Sequence, residues 1–255
     1  MKKYSSKIIF LVSVFLTLFC LSNAWAHVNP SDSNTGVPEP NTFALLSSGL
    51  LTMLLTFFRR TYALTKRAID ITGSVIALIL FSPVLIFTSL LIKLTSTGPI
   101  FYTQVRVGKD GKNFNIFKFR TMKVDAEKAT GPVWAQKNDN RLIPAGKFIR
   151  KAHIDEIPQF VNVILGDMSI IGPRPERPVF VEKFTQEITD YPKRLDVKPG
   201  ITGLAQVWHH YDDDINDVRK KIKYDILYIK KMCFLTDIGI LARTVRVVLT
   251  GAGAR

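Results

Sequence analysis

Cysteine is almost missing. The chain has two in 255 residues, Cys20 inside an apolar run and Cys233 far from it. Neither a disulfide framework nor a cysteine-based metal site can be built from that pair, and the scarcity fits a reducing compartment. Histidine is nearly as rare, with four. His153, His209 and His210 show no H-x-H or H-E-x-x-H spacing, so they read as structural or surface residues and not as ligands. There is no G-x-G-x-x-G or P-loop signature and no internal repeat. Acidic side chains are also short: 21 against 35 Lys and Arg leave a formal charge of +14. Nearly all of that excess lies after Phe58. Such a domain suits anionic lipid head groups, phosphate-bearing substrates or nucleic acid. No recognition-helix or RNP-type pattern accompanies it, so nucleic acid is not an expected partner.

What the chain does have is apolar residues, 47% of the total, with a mean hydropathy of +0.13. They concentrate in the first 100 residues, which points to local membrane segments on one catalytic-sized domain and not to a polytopic protein. Residues 1–26 read as a signal peptide or an uncleaved anchor: Lys2, Lys3 and Lys7, then an apolar core, then Ala24-Trp25-Ala26. Residues 27–60 form a polar spacer ending in Pro38-Glu39-Pro40, an apolar run from Phe43 to Phe58, and Arg59-Arg60. This pattern resembles a PEP-CTERM sorting signal, although about 195 residues follow it here. Basic residues after Phe58 place the remainder on the cytoplasmic side of the inner membrane by the positive-inside tendency.

A third domain-sized stretch, 61–255, opens on another apolar segment at about 68–94. Ser82-Pro83 interrupts it, and a proline there removes a backbone donor and kinks or breaks a helix. Lys66 and Arg67 flank one end and Lys93 the other. Basic residues at both ends suit a helix that enters and leaves on one face, with a kinked spanning helix as the alternative. Beyond Gly98 the chain is globular. Alternation in Ile100–Gln104 and Asn113–Phe119 around a Gly-rich turn predicts a hairpin. Helices are expected over 158–165, 178–188, 215–231 and 235–249.

The chemistry is carried by a few residues. Asp155 and Glu156 are adjacent carboxylates just before Pro158, a position that predicts a helix N-terminus with N–H groups facing a bound phosphate. An ordinary N-cap gives the same pattern. Lys118 and Arg120 share a face at period two near the end of the second strand, as a diphosphate clamp or as surface charge. Gly172-Pro173-Arg174-Pro175 fixes the backbone on both sides of Arg174 and limits where its guanidinium can point. Asp212-Asp213-Asp214 reads as a solvated loop.

Taken in order, these pieces resemble the bacterial sugar transferases, the monotopic polyprenyl-phosphate phosphoglycosyltransferases of the exopolysaccharide-initiating type. The resemblance rests on Lys66-Arg67-x-x-Asp70, Ser82-Pro83, Gly98-Pro99-Ile100-Phe101-Tyr102-x-Gln104-x-Arg106-x-Gly108 and Lys118-Phe119-Arg120-Thr121-Met122. Asp155-Glu156-x-Pro158-Gln159, Gly166-Asp167-Met168-Ser169, Gly172-Pro173-Arg174-Pro175 and Pro199-Gly200-Ile201-Thr202-Gly203 complete it. It implies an α+β, mostly α fold with a re-entrant membrane helix broken at Ser82 and Pro83, interfacial amphipathic helices and a small β-hairpin. It further implies Asp155 as nucleophile toward a nucleoside-diphosphate sugar, usually a UDP-sugar, and polyprenyl (undecaprenyl) phosphate as acceptor. Glu156 would help hold Mg²⁺. Lys118, Arg120, Arg174 and Arg106 would bind substrate phosphates. Membrane lipids and downstream glycosyltransferases would be partners. A non-enzymatic surface protein sorted by its PEP-CTERM-like segment is the competing reading.

Overall fold

The computed structural model describes residues 40–126, 131, 140–208 and 215–250. The signal-like residues 1–26, most of the polar spacer, His209, His210, Asp212-Asp213-Asp214 and the last five residues lie outside that set. The chain divides into two compact units, Met1–Leu64 and Thr65–Arg255.

Helix α1, Pro40–Leu80, is 41 residues long. The two apolar runs read from the sequence, Phe43 to Phe58 and about 68–94, lie along this helix and the one after it. No proline lies between Pro40 and Pro83, and Arg and Lys are good helix formers, so basic residues alone do not end the helix. The end comes at Phe81, where the chain bends by 59° before α2, Ser82–Thr95. Pro83 has no N–H to give the carbonyl of Ile79, four residues back. The Ser82 hydroxyl donates to that carbonyl instead, at 2.8 Å. The Ser-Pro pair thus breaks the helix without leaving its most exposed acceptor bare. Among the described residues no single helix is long and apolar enough to cross a membrane; α1 and α2 together pass by length and composition.

The second unit is held by small apolar clusters joined through buried polar groups. Strands β1, Phe101–Val107, and β2, Asn113–Phe119, form the expected antiparallel hairpin, pairing Phe101 with Phe119 through to Val107 with Asn113. Phe119 then packs with Ile92 of α2, with Ile143, and with Ile149 of the short helix α3, Gly146–Lys151. Helix α4, Gln159–Leu165, lies against β2 through Asn162. The Asn162 side chain is fully buried, accepts from Phe117 N at 2.9 Å and donates to Asn115 O at 2.7 Å.

The start of this unit is tied down by charge. Arg67 donates to the carbonyls of Val163 and Ile164, the latter at 2.9 Å, and so satisfies the C-terminal end of α4. Asp70 accepts from Ile170 N at 3.1 Å, and Lys66 pairs with Asp237 at 3.0 Å. The Lys66-Arg67-x-x-Asp70 motif is therefore a docking device, a role its sequence did not reveal.

A second sheet was not anticipated. Strands β3, Ser169–Ile171, and β4, Gly200–Thr202, pair in parallel. Runs of three residues carry too little periodicity to be seen in sequence. Helix α5, Pro178–Glu187, short α6, Leu204–Trp208, then α7, Ile215–Lys230, and α8, Phe234–Thr250, complete the unit. Three of these match the expected helices to within a residue or so at each end, and α6 was not expected.

The crossing of the two loops needs glycine at 172. A Cβ there would sit 2.4 Å from the Lys198 carbonyl oxygen and 2.9 Å from Gly200 N, both backbone atoms that cannot swing aside. Gly172→Ala is expected to cost at least about 2 kcal/mol, in the range of overpacking a rigid site, measured as thermal unfolding in detergent. An unchanged melting temperature would contradict the close crossing.

Candidate active site

Asp155 and Glu156 sit in a 3₁₀ turn, Ile154–Glu156, entered through His153 in the left-handed region at φ +54. The sequence placed them at a helix N-terminus with N–H groups free for phosphate, and this needs correcting. Glu156 N donates to His153 O, Ile157 N to Ile154 O, Phe160 N to Ile157 O and Val161 N to Pro158 O. Those donors are spent locally, and the helix that follows has only seven residues. Anion binding here falls to side chains.

Glu156 is the hub. Its Oε1 accepts from Lys118 Nζ at 2.7 Å and from Arg174 at 2.6 Å. Its Oε2 has a weaker contact, 3.4 Å, to the other Arg174 nitrogen. Lys118 comes from β2, Glu156 from the 3₁₀ turn and Arg174 from the Gly-Pro-Arg-Pro loop, so one carboxylate joins three segments. Arg106, from β1, donates to Pro175 O at 3.0 Å and to the Gln104 side chain at 2.7 Å. Arg106, Lys118 and Arg174 line one small cavity with Ile116, Gln159 and Pro175. Three of the four cations singled out in sequence thus converge.

Arg120 does not join them. It is buried, and its guanidinium donates to the carbonyls of Ser96 and Thr97 just past α2. Gly98 makes room for it: the backbone there has φ +114, and a Cβ would meet Arg120 Nη1. The period-two face shared by Lys118 and Arg120 therefore ends in two different places. Strand alternation alone cannot foresee which carbonyls a long side chain will reach.

Behind the Gly-Pro-Arg-Pro loop lies a second polar group that sequence reading missed. Arg194 is buried, pairs with Asp225 at 2.9 Å, donates to the Tyr191 hydroxyl at 3.0 Å and to the backbone carbonyl of Arg174 at 2.8 Å. Glu176 sits between Lys221 at 3.2 Å and Arg106 at 3.7 Å. Burial opposes its ionisation, yet Lys221, Arg194, Arg106 and Arg174 outweigh this and bring the carboxyl down to about 2. Arg150 is another omission. It donates to Thr121 Oγ1 at 2.9 Å and its charge acts on Asp155.

The adjacent carboxylates are driven apart. Burial raises Asp155 above the ordinary aspartate range, with Lys118 pulling the other way and Glu156 adding to the rise. Burial also acts on Glu156, but Arg174 and Lys118 overcome it and hold that carboxyl well below the ordinary range. Burial pushes Lys118 down, offset by Glu156, while Glu156 pulls Arg174 up. Two carboxyl groups with opposite shifts take different roles. Glu156 is a fixed anion that organises cations. Asp155 is buried, and among the described residues no ion pair of that strength holds it.

Residues 61–251 match the bacterial sugar transferase family, and the chain belongs to it. Among its relatives is the UDP-N-acetylgalactosamine-undecaprenyl-phosphate N-acetylgalactosaminephosphotransferase of Aeromonas hydrophila. The two are 50% identical over 194 residues, covering 76% of this chain and 46% of that protein. The UDP-glucose:undecaprenyl-phosphate glucose-1-phosphate transferase of Escherichia coli K12 is 42% identical, covering 71% of this chain and 39% of the other. A galactosyl transferase of Streptococcus agalactiae is 37% identical, covering 88% and 51%. The chain spans about half or less of the length of these relatives.

The opposite shifts generate opposite mutant effects. Asp155 is raised in the fold, so its ionisation weakens folding: the contribution is favourable below the unfolded value and is lost as pH rises. Glu156 is lowered, so its contribution is present above the unfolded value and is lost as pH falls through the folded one. At neutral pH, Asp155→Asn should therefore melt higher than the parent. Glu156→Gln should lose about 2–3 kcal/mol, less than a fully buried pair costs because the Arg174 side chain is 36% exposed. Thermal melts at pH 7 check both, and shifts of the same sign would contradict the assignment.

Proposed function

We propose that the chain transfers a phosphosugar from a UDP-sugar to undecaprenyl phosphate through a covalent aspartyl intermediate on Asp155. The observation that carries this reading is a buried carboxylate within electrostatic reach of Lys118 and Arg174, two of the three cations that line one small cavity. An Asp155 oxygen attacks the β-phosphorus. The bond from that phosphorus to the bridging oxygen breaks, and UMP leaves with the electron pair. A phosphate oxygen of the lipid then attacks the same phosphorus, releasing Asp155 and forming a polyprenyl-diphosphate sugar. Lys118, Arg174 and Arg106 bind the phosphates, where oriented cations are worth most because water is scarce.

Glu156 suits a hard divalent cation in kind. Its Oε1 takes both short cation contacts and leaves Oε2 only weakly engaged, and Mg²⁺ commonly takes one or two carboxylate oxygens together with substrate phosphates. Mg²⁺ held there would supply charge neutralisation on the diphosphate. Arg120 serves by holding the end of α2 and not by touching substrate.

The bent pair α1 and α2 is read as a re-entrant membrane helix within a 61–255 transferase domain. Ile79, Leu80, Phe81, Ile86 and Phe87 are exposed around the break, as are Leu235, Ile238, Val245 and Leu249 on α8. Such apolar faces suit a lipid surface. The arrangement would keep Asp155 at the cytoplasmic face of the inner membrane, where it would start exopolysaccharide or glycan synthesis and hand its product to glycosyltransferases. The named relatives differ in sugar, with N-acetylgalactosamine, glucose and galactosyl among their names, so the donor's sugar is left open. The competing surface-protein reading gives the buried cation cluster nothing to do.

The test is UMP release by the purified full chain in detergent across a panel of UDP-sugars, with undecaprenyl phosphate and Mg²⁺ added or withheld. Lipid- and Mg²⁺-dependent release from at least one donor is expected, falling at least about 1,000-fold in Asp155→Asn, as for loss of a covalent nucleophile. The acid limb of the rate should lie above ordinary aspartate values. It should move higher still in Lys118→Met, because Lys118 favours the Asp155 carboxylate. Equal turnover by Asp155→Asn, or silence across the panel, would overturn the proposal.

A further inference from the structure

Gln159 is 2% exposed, yet its side-chain Nε2 has no protein acceptor. A buried amide donor left unpaired is costly, about 1–3 kcal/mol, and native proteins rarely tolerate one without use. This one lines the same cavity as Arg106, Lys118 and Arg174. Arg106 adds a second buried donor without an acceptor, its Nε. The lining holds these three cations, the amide and two apolar residues, while Glu156 pairs with Lys118 and Arg174 from outside it.

The backbone explains why Gln159 points there. Ile157, at φ −57 and ψ −39, and Pro158, at φ −59 and ψ −17, continue the right-handed turn from Asp155 into α4. The chain therefore passes from the catalytic-candidate turn into α4 without reversing direction, and Gln159 is the first residue of that helix. Gln159 thus follows Asp155 by about one turn, and its side chain lines the cavity with Lys118 and Arg174, the two cations whose charge also acts on Asp155.

We propose that Gln159 is a substrate-contact residue, whose amide N–H donates to a non-bridging oxygen of the phosphoryl group that Asp155 attacks. The inference rests on the reaction proposed above. In both steps negative charge on those oxygens must be held in place while the bond changes, and a fixed neutral donor does this without adding to the cation count. The contact strengthens as the transition state forms, so its loss lowers kcat more than it raises KM. A purely structural glutamine would behave otherwise. Replacing it by the similarly sized, unbranched methionine removes an unpaired buried donor and should leave stability unchanged or improved.

The experiment compares the full-length parent with Gln159→Met and Arg174→Ala in detergent. Thermal melts are taken with and without inorganic pyrophosphate, the probe for the diphosphate, alongside UDP-sugar turnover. Gln159→Met is expected to melt no lower than the parent, to turn over about 100-fold slower with KM changed much less, and to keep only part of the pyrophosphate-induced shift, the scale of one lost oxyanion donor. A pyrophosphate shift and turnover within twofold of the parent would overturn the assignment and leave Gln159 a packing residue. If Gln159→Met gives no melting transition, Gln159→Leu takes its place and is read on turnover: a loss of about 100-fold with KM changed less supports the contact, and turnover within twofold of the parent rejects it. Arg174→Ala separates the two levels. A shift that survives in Arg174→Ala as well would contradict the phosphate cavity itself, and with it the proposed reaction.

Discussion

Glu156 and the two cations it holds are the constraint on which the site depends. Lys118 lies 38 residues before it and Arg174 lies 18 after it in sequence. Without the central anion, Lys118, Arg174 and Arg106 would crowd one small cavity with like charge. Burial raises the cost of each charge, which is why Lys118 is pushed down even with its partner beside it. A single carboxylate satisfies both neighbours at once and fixes the hairpin, the turn Ile154–Glu156 and the Gly-Pro-Arg-Pro loop relative to one another. Arg194, anchored by Asp225 and Tyr191, secures that loop from behind through the Arg174 carbonyl.

The same triad explains how two neighbouring carboxylates do different work. Sequence adjacency would suggest a matched pair. In the fold, Glu156 takes the short cation contacts and Asp155 is left with burial as its main influence. The consequence is a division between an anion that organises the site and one that the proposed reaction uses as its nucleophile. This division costs stability at Asp155, as is common where function and packing make opposite demands.

Much of this was legible in sequence, for identifiable reasons. Ser82-Pro83 announced the break because proline cannot donate a hydrogen bond, and the hairpin followed from period-two alternation around a glycine turn. The convergence of Lys118, Glu156 and Arg174 came from a family resemblance and not from spacing, since no local rule brings together segments so far apart. What stayed hidden was set by tertiary contact. Arg120 ended on the carbonyls of Ser96 and Thr97, Arg67 and Asp70 became ties to distant backbone, and Lys66 became a tie to the Asp237 side chain. The strands Ser169–Ile171 and Gly200–Thr202 were too short to signal themselves. The expected phosphate site at a helix terminus failed because the 3₁₀ turn consumes its own N–H groups.

The claim at the centre is that Asp155 forms a covalent bond to the transferred phosphosugar. The most direct measurement is intact-protein mass spectrometry after incubation with an accepted UDP-sugar and no lipid acceptor, followed by peptide mapping. We expect a mass gain equal to one sugar phosphate, located on the peptide containing Asp155 and discharged when undecaprenyl phosphate is added. An unmodified protein that nonetheless turns over in full once lipid is supplied would contradict the covalent route and point to direct transfer between donor and acceptor.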